Sequence, residues 1–327
     1  MPIPPPPPSK KRKPPAAVPT RKPQASNDSR VRFYGELCSG SYAVGLRLLG
    51  GAKAKPPVSY MGSKVGYASA ILGAMGLSPA QGAREAMIVD PGPWADAWRV
   101  LADPKATGDL LDLFKRWDEA SVDPKERWEG LKLEYMADPH GGGPIHTAAR
   151  WIYLCGNAYM AGNIETGVVH NSKDPKDPRL NIRVSYEELM LRVRSLRRLP
   201  WPETTHVLQK SAFDVYPADL GLGDAEGCVI YMDPPYKGTT GYMHGFTRTQ
   251  VIAVARRWAN AGASVCISEG AAIEIPGFNY KVQIAHTRKG TRRTMSKSKD
   301  EWLTLNKAPQ RIAPKPISWI PAMVKRT

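Results

Sequence analysis

Apolar and polar positions along this chain follow two alternating periods. Two short apolar runs end in an acid, Glu85-Ala-Met-Ile-Val-Asp90 and Cys228-Val-Ile-Tyr-Met-Asp233. An unbroken apolar run of this length predicts a strand buried on both faces of a parallel sheet. His206–Gln209, Ser264–Ile267, Asn279–Ile284 and Glu301–Leu305 predict further strands. Between them lie segments of helical period: Val65–Leu77, Ala95–Leu101, Asp109–Trp117 and Thr247–Ala261, the last with apolar Val251, Ile252, Val254, Ala255 and Trp258. Arg32–Leu49 reads as a helix, or as a strand followed by one. Strands alternating with helices predict an open α/β sheet, whose ligands bind beyond the carboxyl ends of the strands. From about 123 to 202 the alternation stops. That stretch holds Gly141-Gly142-Gly143, a Trp-bearing helix over Thr147–Met160, a polar loop over Asn171–Arg179 and a basic helix over Tyr186–Leu199. It predicts an inserted, mostly helical subdomain at 123–202, with the sheet domain formed by 31–122 and 203–307.

Composition narrows the class. With 327 residues, 42% apolar and 23% charged, the chain is long enough for a sizeable core and ordinary enough to be globular. No apolar run reaches the length of a membrane span, and no apolar stretch follows the N-terminal basic residues as in a secretory signal. The four cysteines are far apart without a Cys-x-x-Cys pair, and the six histidines are scattered. Neither a disulfide framework nor a metal cluster is expected, and a reducing compartment such as the cytoplasm follows.

The net charge of +16 is unevenly placed. Residues 1–30 carry +6 and ten of the 31 prolines, including Pro4–Pro8, and residues 307–327 carry +5, leaving +5 for the body between. A proline-rich basic arm at 1–30 and a basic tail at 308–327 are expected to lack a packed core, and either contact phosphates or only solubilise. Two further basic groups lie in the body: Arg288, Lys289, Arg292 and Arg293 within an acid-free stretch, and Arg194 and Arg197 on the helix that ends the subdomain. Both are candidates for nucleic-acid contact, with a solvated charged face as the alternative.

The chemistry concentrates at Asp233-Pro234-Pro235-Tyr236, directly after an apolar strand. Two prolines force an extended loop without amide donors, so its carbonyls are left to accept. An acid beside them makes an acceptor claw for an –NH2 group, and Tyr236 offers a flat face for a base. A nucleobase amine is a weak nucleophile because its lone pair is delocalised into the ring. Drawing its protons toward acceptors, and aiming it at an electrophile, raises its reactivity without a metal or a covalent intermediate.

This tetrapeptide resembles the catalytic signature of amino-methyltransferases that use S-adenosylmethionine. Tyr60-Met61-Gly62-Ser63-Lys64 is similar to the aromatic-x-Gly-Gly-Lys segment of DNA adenine-N6 methyltransferases. The order of Tyr60–Lys64, Asp90, an irregular middle, Ser211-Ala-Phe-Asp214 and Asp233–Tyr236 resembles the alpha-type arrangement of that family. The resemblance implies a Rossmann-like class I methyltransferase sheet with a target-recognition subdomain at 123–202. It implies S-adenosylmethionine as cofactor and a flipped adenine in double-stranded DNA as substrate. Asp233, Pro234, Pro235 and Tyr236 would be catalytic. Tyr60, Gly62, Lys64, Asp90, Gly92 and Asp214 would line the cofactor, with Gly62 and Lys64 at its carboxylate end and Asp214 at its adenine.

The family's glycine-bearing cofactor loop is assigned to Asp90-Pro91-Gly92-Pro93-Trp94, because a strand precedes it and a helix follows. Glu36-Leu-Cys-Ser-Gly-Ser41 matches that loop by residue type but precedes Tyr60 and breaks the expected order. A monomeric, orphan phage or bacterial enzyme is the expectation. The alternatives are a methyltransferase acting on RNA or another amino group, and a catalytically silent DNA-binding relative.

Overall fold

The computed structural model describes residues 29–58, 62–158, 164, 184–236, 245–284 and 301–309. Seven strands form one sheet: β1 (Val31–Leu37), β2 (Ala83–Val89), β3 (Thr204–Leu208), β4 (Cys228–Met232), β5 (Ser264–Glu269), β6 (Tyr280–Ile284) and β7 (Glu301–Leu305), in the order β3-β2-β1-β4-β5-β7-β6. The first five run parallel, and β7 is antiparallel to both β5 and β6. This is the Rossmann-like class I methyltransferase sheet expected from the sequence. Its strand order reverses between β1 and β4, which places the ligand crevice of such a sheet above those two strands. β4 is buried along its whole length, as its unbroken apolar run requires.

Helices α1 (Ala43–Gly50), α2 (Ala68–Ala74), α3 (Pro93–Leu101), α4 (Pro104–Glu119), α5 (Pro124–Ala137), α6 (Gly143–Asn157), α7 (Tyr186–Arg197) and α8 (Arg248–Asn260) fill the two faces. Their starts are written locally. Asp103 and Asp123 cap α4 and α5 ahead of a first-turn proline, Ser185 caps α7, and Thr247 with Gln250 forms a capping box on α8.

Successive side chains of β1 serve opposite faces. Tyr34 joins the core that α1–α7 cover, with Trp94, Trp98, Phe114, Trp128, Trp151 and Tyr153. Phe33 joins the other core, with Trp258 of α8, Met87 and Ile230. The helices described between 123 and 202 therefore share one core with α1–α3. Insertion in the sequence is not separation in space.

The ends of the sheet are fixed by short contacts. Gly82, just before β2, donates to the Leu48 carbonyl near the end of α1 (3.0 Å), and Val31 at the start of β1 donates to Gly82 (3.1 Å). A Cβ built on Gly50 would stand 2.4 Å from Leu199, so the chain leaving α7 also arrives at the amino ends of the strands.

Candidate active site

The loop leaving β1, the central strand, is the first wall of the site. Cys38, Gly40 and Tyr42 have φ of 57°, 43° and 48°. Left-handed backbone is uncommon for side chains other than glycine and persists only where the surroundings enforce it. Here they do. Ser39 donates to the Val89 carbonyl (2.9 Å), Tyr42 to Ser39 (2.7 Å), and the Trp98 indole to the Gly40 carbonyl (2.7 Å). Asp90, just past β2, accepts from the Gly40 amide at one oxygen and from the Gly92 amide at the other, each at 2.9 Å.

Both segments weighed as the glycine-bearing loop, Glu36–Ser41 and Asp90–Trp94, therefore meet past the ends of β1 and β2, joined through the Asp90 carboxylate. The segment at the switch point is the one around Gly40, and Asp90-Pro91-Gly92 is the neighbour that braces it. Motif order does not choose between them, because Tyr60–Lys64 is threaded between β1 and β2 instead of ahead of β1.

Glu36, one residue before the end of β1, is buried. It accepts from the Tyr34 hydroxyl (3.0 Å) and the Gly45 amide (2.9 Å). Burial is the main cause that raises its carboxyl to about 8, with the Asp233 charge adding and Lys64 opposing. The Ser39 hydroxyl is also buried and has no hydrogen-bond partner among the described residues.

The second wall is the loop leaving β4. The Asp233 amide donates to the Leu37 carbonyl (3.1 Å), joining the two loops across the switch point. Asp233 Oδ1 receives the Lys64 ammonium at 2.7 Å and the Ser268 hydroxyl at 3.0 Å. Ser268, on β5, also shares a hydrogen bond with the Tyr231 hydroxyl (2.8 Å). Pro234 is buried, while Pro235 and Tyr236 are half-buried.

The Tyr236 hydroxyl donates to Glu301 at the start of β7, and Lys64 Nζ lies 4.8 Å from the Tyr236 ring centroid. Burial, then the charges of Asp233 and Glu301, push the Tyr236 phenol far above its ordinary range. Burial raises Glu301 to about 7, opposed by Lys64. Lys64 Nζ also donates to the Gly62 carbonyl (3.0 Å), and Ser63 hydrogen-bonds Ser41 at 2.8 Å, tying this turn to the Gly40 loop.

The structure thus brings Gly62, Lys64, Asp90, Gly92 and Asp233–Tyr236 to one end of the sheet. Tyr60 lies outside the described residues, as do Arg288, Lys289, Arg292 and Arg293. The last four belong to the segment between β6 and β7, whose anchors Ile284 and Glu301 pair at the site's edge.

Asp214 is exposed on a 3-10 turn that packs toward α8, where Arg257 donates to the Phe213 and Val215 carbonyls (2.7 and 2.9 Å). At the ends of β2 and β3 the polar group actually assembled is Asp96, His140 and Gln209. Asp96 Oδ2 lies 2.8 Å from His140 Nδ1 and 3.2 Å from Gln209 Nε2. Arg194 and Arg197 are exposed in the last turn of α7, toward the amino ends of the strands and away from these loops. Among the described residues no group of three or more His, Cys, Asp or Glu side chains is placed to hold a metal, and no helix is long and apolar enough to cross a membrane.

Sequence reasoning missed Glu36, Tyr231, Ser268 and Glu301 as parts of the site. Their one signal is a polar residue inside or bounding an apolar strand, which only the sheet order turns into a cluster.

The residues present fit S-adenosylmethionine. Ser39 offers a buried hydroxyl with no partner among the described residues, and Asp90 joins the glycine-bearing turns at Gly40 and Gly92 and donates from its amide to the Leu208 carbonyl beside Gln209. No protein-family model matches the chain, and no curated protein matches it. Among solved structures, it is similar to the rRNA methyltransferase aviRa from Streptomyces viridochromogenes, with 13% identity and a TM-score of 0.34 over 86% of this chain and 78% of the other. A second structure of aviRa gives 13% identity and a TM-score of 0.33, over 85% and 77%. Identity and overlap at this level transfer no activity, substrate or residue role to this chain.

Proposed function

We propose that this protein is an S-adenosylmethionine-dependent methyltransferase that methylates the N6 amine of an adenine flipped out of double-stranded DNA. The observation that carries this reading is the Asp233–Tyr236 loop, held at the end of β4 against the Gly40 loop of β1 by the Asp233 amide and fixed from behind by Lys64, Ser268 and Glu301. When bound, S-adenosylmethionine supplies an electrophilic methyl group on a sulfonium. Gly40, Ser39, Asp90 and Gly92 would hold it, with Gln209 and Asp96 toward its nucleoside end.

Asp233 and the Pro234 carbonyl accept from the substrate amine, orient its lone pair and carry its developing positive charge. Tyr236 stacks on the base. An amine inside a stacked duplex cannot reach a claw at the end of a buried strand, so the base must leave the helix. Arg288, Lys289, Arg292 and Arg293 supply phosphate contacts on a segment anchored at the edge of this site.

Incubation of the protein with S-adenosylmethionine and duplex DNA, followed by nuclease digestion and mass detection of N6-methyl-2′-deoxyadenosine, tests the assignment. Methylated DNA is the expected product. Methylated RNA with untouched DNA moves the substrate to RNA, and transfer undiminished in Asp233→Ala removes the assignment of the site.

A further inference from the structure

We propose that Lys64 is the positioning residue of the Asp233–Tyr236 loop, a buried ammonium that fixes the Asp233 carboxylate through Oδ1 and the Tyr236 ring through its face. The proposal rests on the methyl-transfer reading above and changes the part played by Lys64 in it. Family resemblance places this lysine at the cofactor's carboxylate, whereas the geometry gives it to the claw.

Lys64 is 6% exposed, and its Nζ reaches Asp233 Oδ1 at 2.7 Å, the Gly62 carbonyl at 3.0 Å and the Tyr236 ring at 4.8 Å. A buried ammonium is tolerated only where it is paired and hydrogen-bonded. Three carboxyl groups surround it: Asp233 in contact, and Glu36 and Glu301 close enough for its charge to lower both. One cation thus offsets a cluster of acids that burial alone would leave protonated or splayed apart.

The arrangement sets which oxygen of Asp233 meets the substrate. Oδ1 takes two donors, Lys64 and Ser268, and Ser268 is itself held by Tyr231. Oδ2 has no hydrogen-bond partner among the described residues and is the acceptor left for an incoming amine. Tyr236 is fixed at both ends, by Glu301 at the hydroxyl and by the ammonium at the ring. Because Lys64 starts a 3-10 turn bound to the Gly40 loop through Ser63 and Ser41, the claw and that loop are set by one piece of chain.

The test compares wild type, Lys64→Met and Lys64→Arg in the full chain. Calorimetry reads the affinity for S-adenosylmethionine, and single-turnover transfer to adenine-containing duplex DNA at saturating cofactor reads the rate. In Lys64→Met the affinity stays within about threefold while the rate falls about 100-fold, the size of loss expected for one oriented catalytic contact. Lys64→Arg recovers about tenfold of that loss, because a guanidinium keeps the charge with altered geometry. Affinity weakened more than about tenfold with the rate preserved overturns the proposal and returns Lys64 to the cofactor.

A second readout needs no activity. In the ligand-free protein, carbon-13 carboxyl spectra follow Glu301, which titrates near 7 and is faced by Tyr236, Asp233, Lys64, Ser268, Tyr231 and Cys266. Its titration moves upward in Lys64→Met and stays in place in Lys64→Arg. An unmoved titration in Lys64→Met overturns the placement of Lys64. A wild type that transfers no methyl group defeats the methyl-transfer reading instead, and the titration then decides the role of Lys64 by itself.

Discussion

At the carboxyl end of the sheet, the ends of β1, β2 and β4 with their loops, the start of β7 and the turn at Lys64 gather four buried or half-buried acids, a buried lysine and two left-handed side-chain-bearing residues. At the amino end the same strands begin in backbone contacts alone, with Val31 on Gly82, Gly82 on Leu48 and Ala80 on Arg47 (3.2 Å). There Gly50 admits Leu199 closely, and the charges, Arg194 and Arg197, point to solvent. The difference follows from topology. Chains that diverge at a switch point leave a crevice that side chains must line, so strain and desolvated charge collect there. Chains entering the sheet side by side need only close it. Changes at the carboxyl end are therefore expected to cost chemistry, and stability as well where they disturb a packed buried group such as Tyr42 or Glu36. Changes at the amino-end arginines touch only weak electrostatics.

Asp233→Asn should give the largest effect, a fall in methyl transfer of at least about 1000-fold, with cooperative melting retained because the amide oxygen still accepts from the buried Lys64 ammonium. Activity and melting lost together would mean that Asp233 also holds the fold, and the contrast would fail.

Next in size, and close to one another, come Gly45→Ala and Glu36→Gln. A Cβ added at Gly45 would lie 2.1 Å from the Tyr42 ring, which is itself packed on Trp98 and Trp201 at centroid distances of 5.6 and 6.3 Å. A ring so hemmed in has nowhere to go, and denaturant unfolding should show a loss of about 3 kcal/mol.

Glu36→Gln sharpens the comparison through pH. The Glu36 carboxyl is raised from 4.5 to about 8, so between these values the folded chain holds a proton that the unfolded chain has released. Stability then falls as pH rises through that window. The glutamine can accept from Tyr34 and Gly45 without titrating, and at pH 8 it should regain about 3 to 4 kcal/mol relative to wild type that is absent at pH 5. A pH-independent difference would deny the buried acid.

The smallest effect belongs to the amino end. Arg194→Ala with Arg197→Ala should lower the slope of log affinity against log salt by less than about 2 and leave the single-turnover rate unchanged. A lost rate would bring DNA to the wrong end of the sheet.

Much of this was legible in the sequence. The two strands followed directly by an acid, β2 and β4, were visible as apolar runs, and Pro234-Pro235 marked the exit from β4 because proline removes the backbone donor in any context. The joining of the two candidate loops was not legible. Gly40 and Asp90 follow neighbouring strands and are linked by the Asp90 carboxylate, and motif order along the chain cannot say which strand is central. Glu301, Ser268 and Tyr231 were hidden for a related reason. Each is a lone polar residue on or bounding a hydrophobic strand, meaningful only once β4, β5 and β7 are known to be adjacent. Lys64 looked like a turn lysine until the fold buried it.

Glu301 occupies two roles at one address. It closes the β6–β7 hairpin opposite Ile284, at the root of the basic 285–300 segment, and it receives the Tyr236 hydroxyl. On the proposed reading, a displacement of the chain at Glu301 is passed to the Tyr236 ring through this hydrogen bond. On that reading, changes in the sequence or length of 285–300 alter which stretch of polymer is grasped while Glu301 and Ile284 keep their pairing and Asp233–Tyr236 are left untouched.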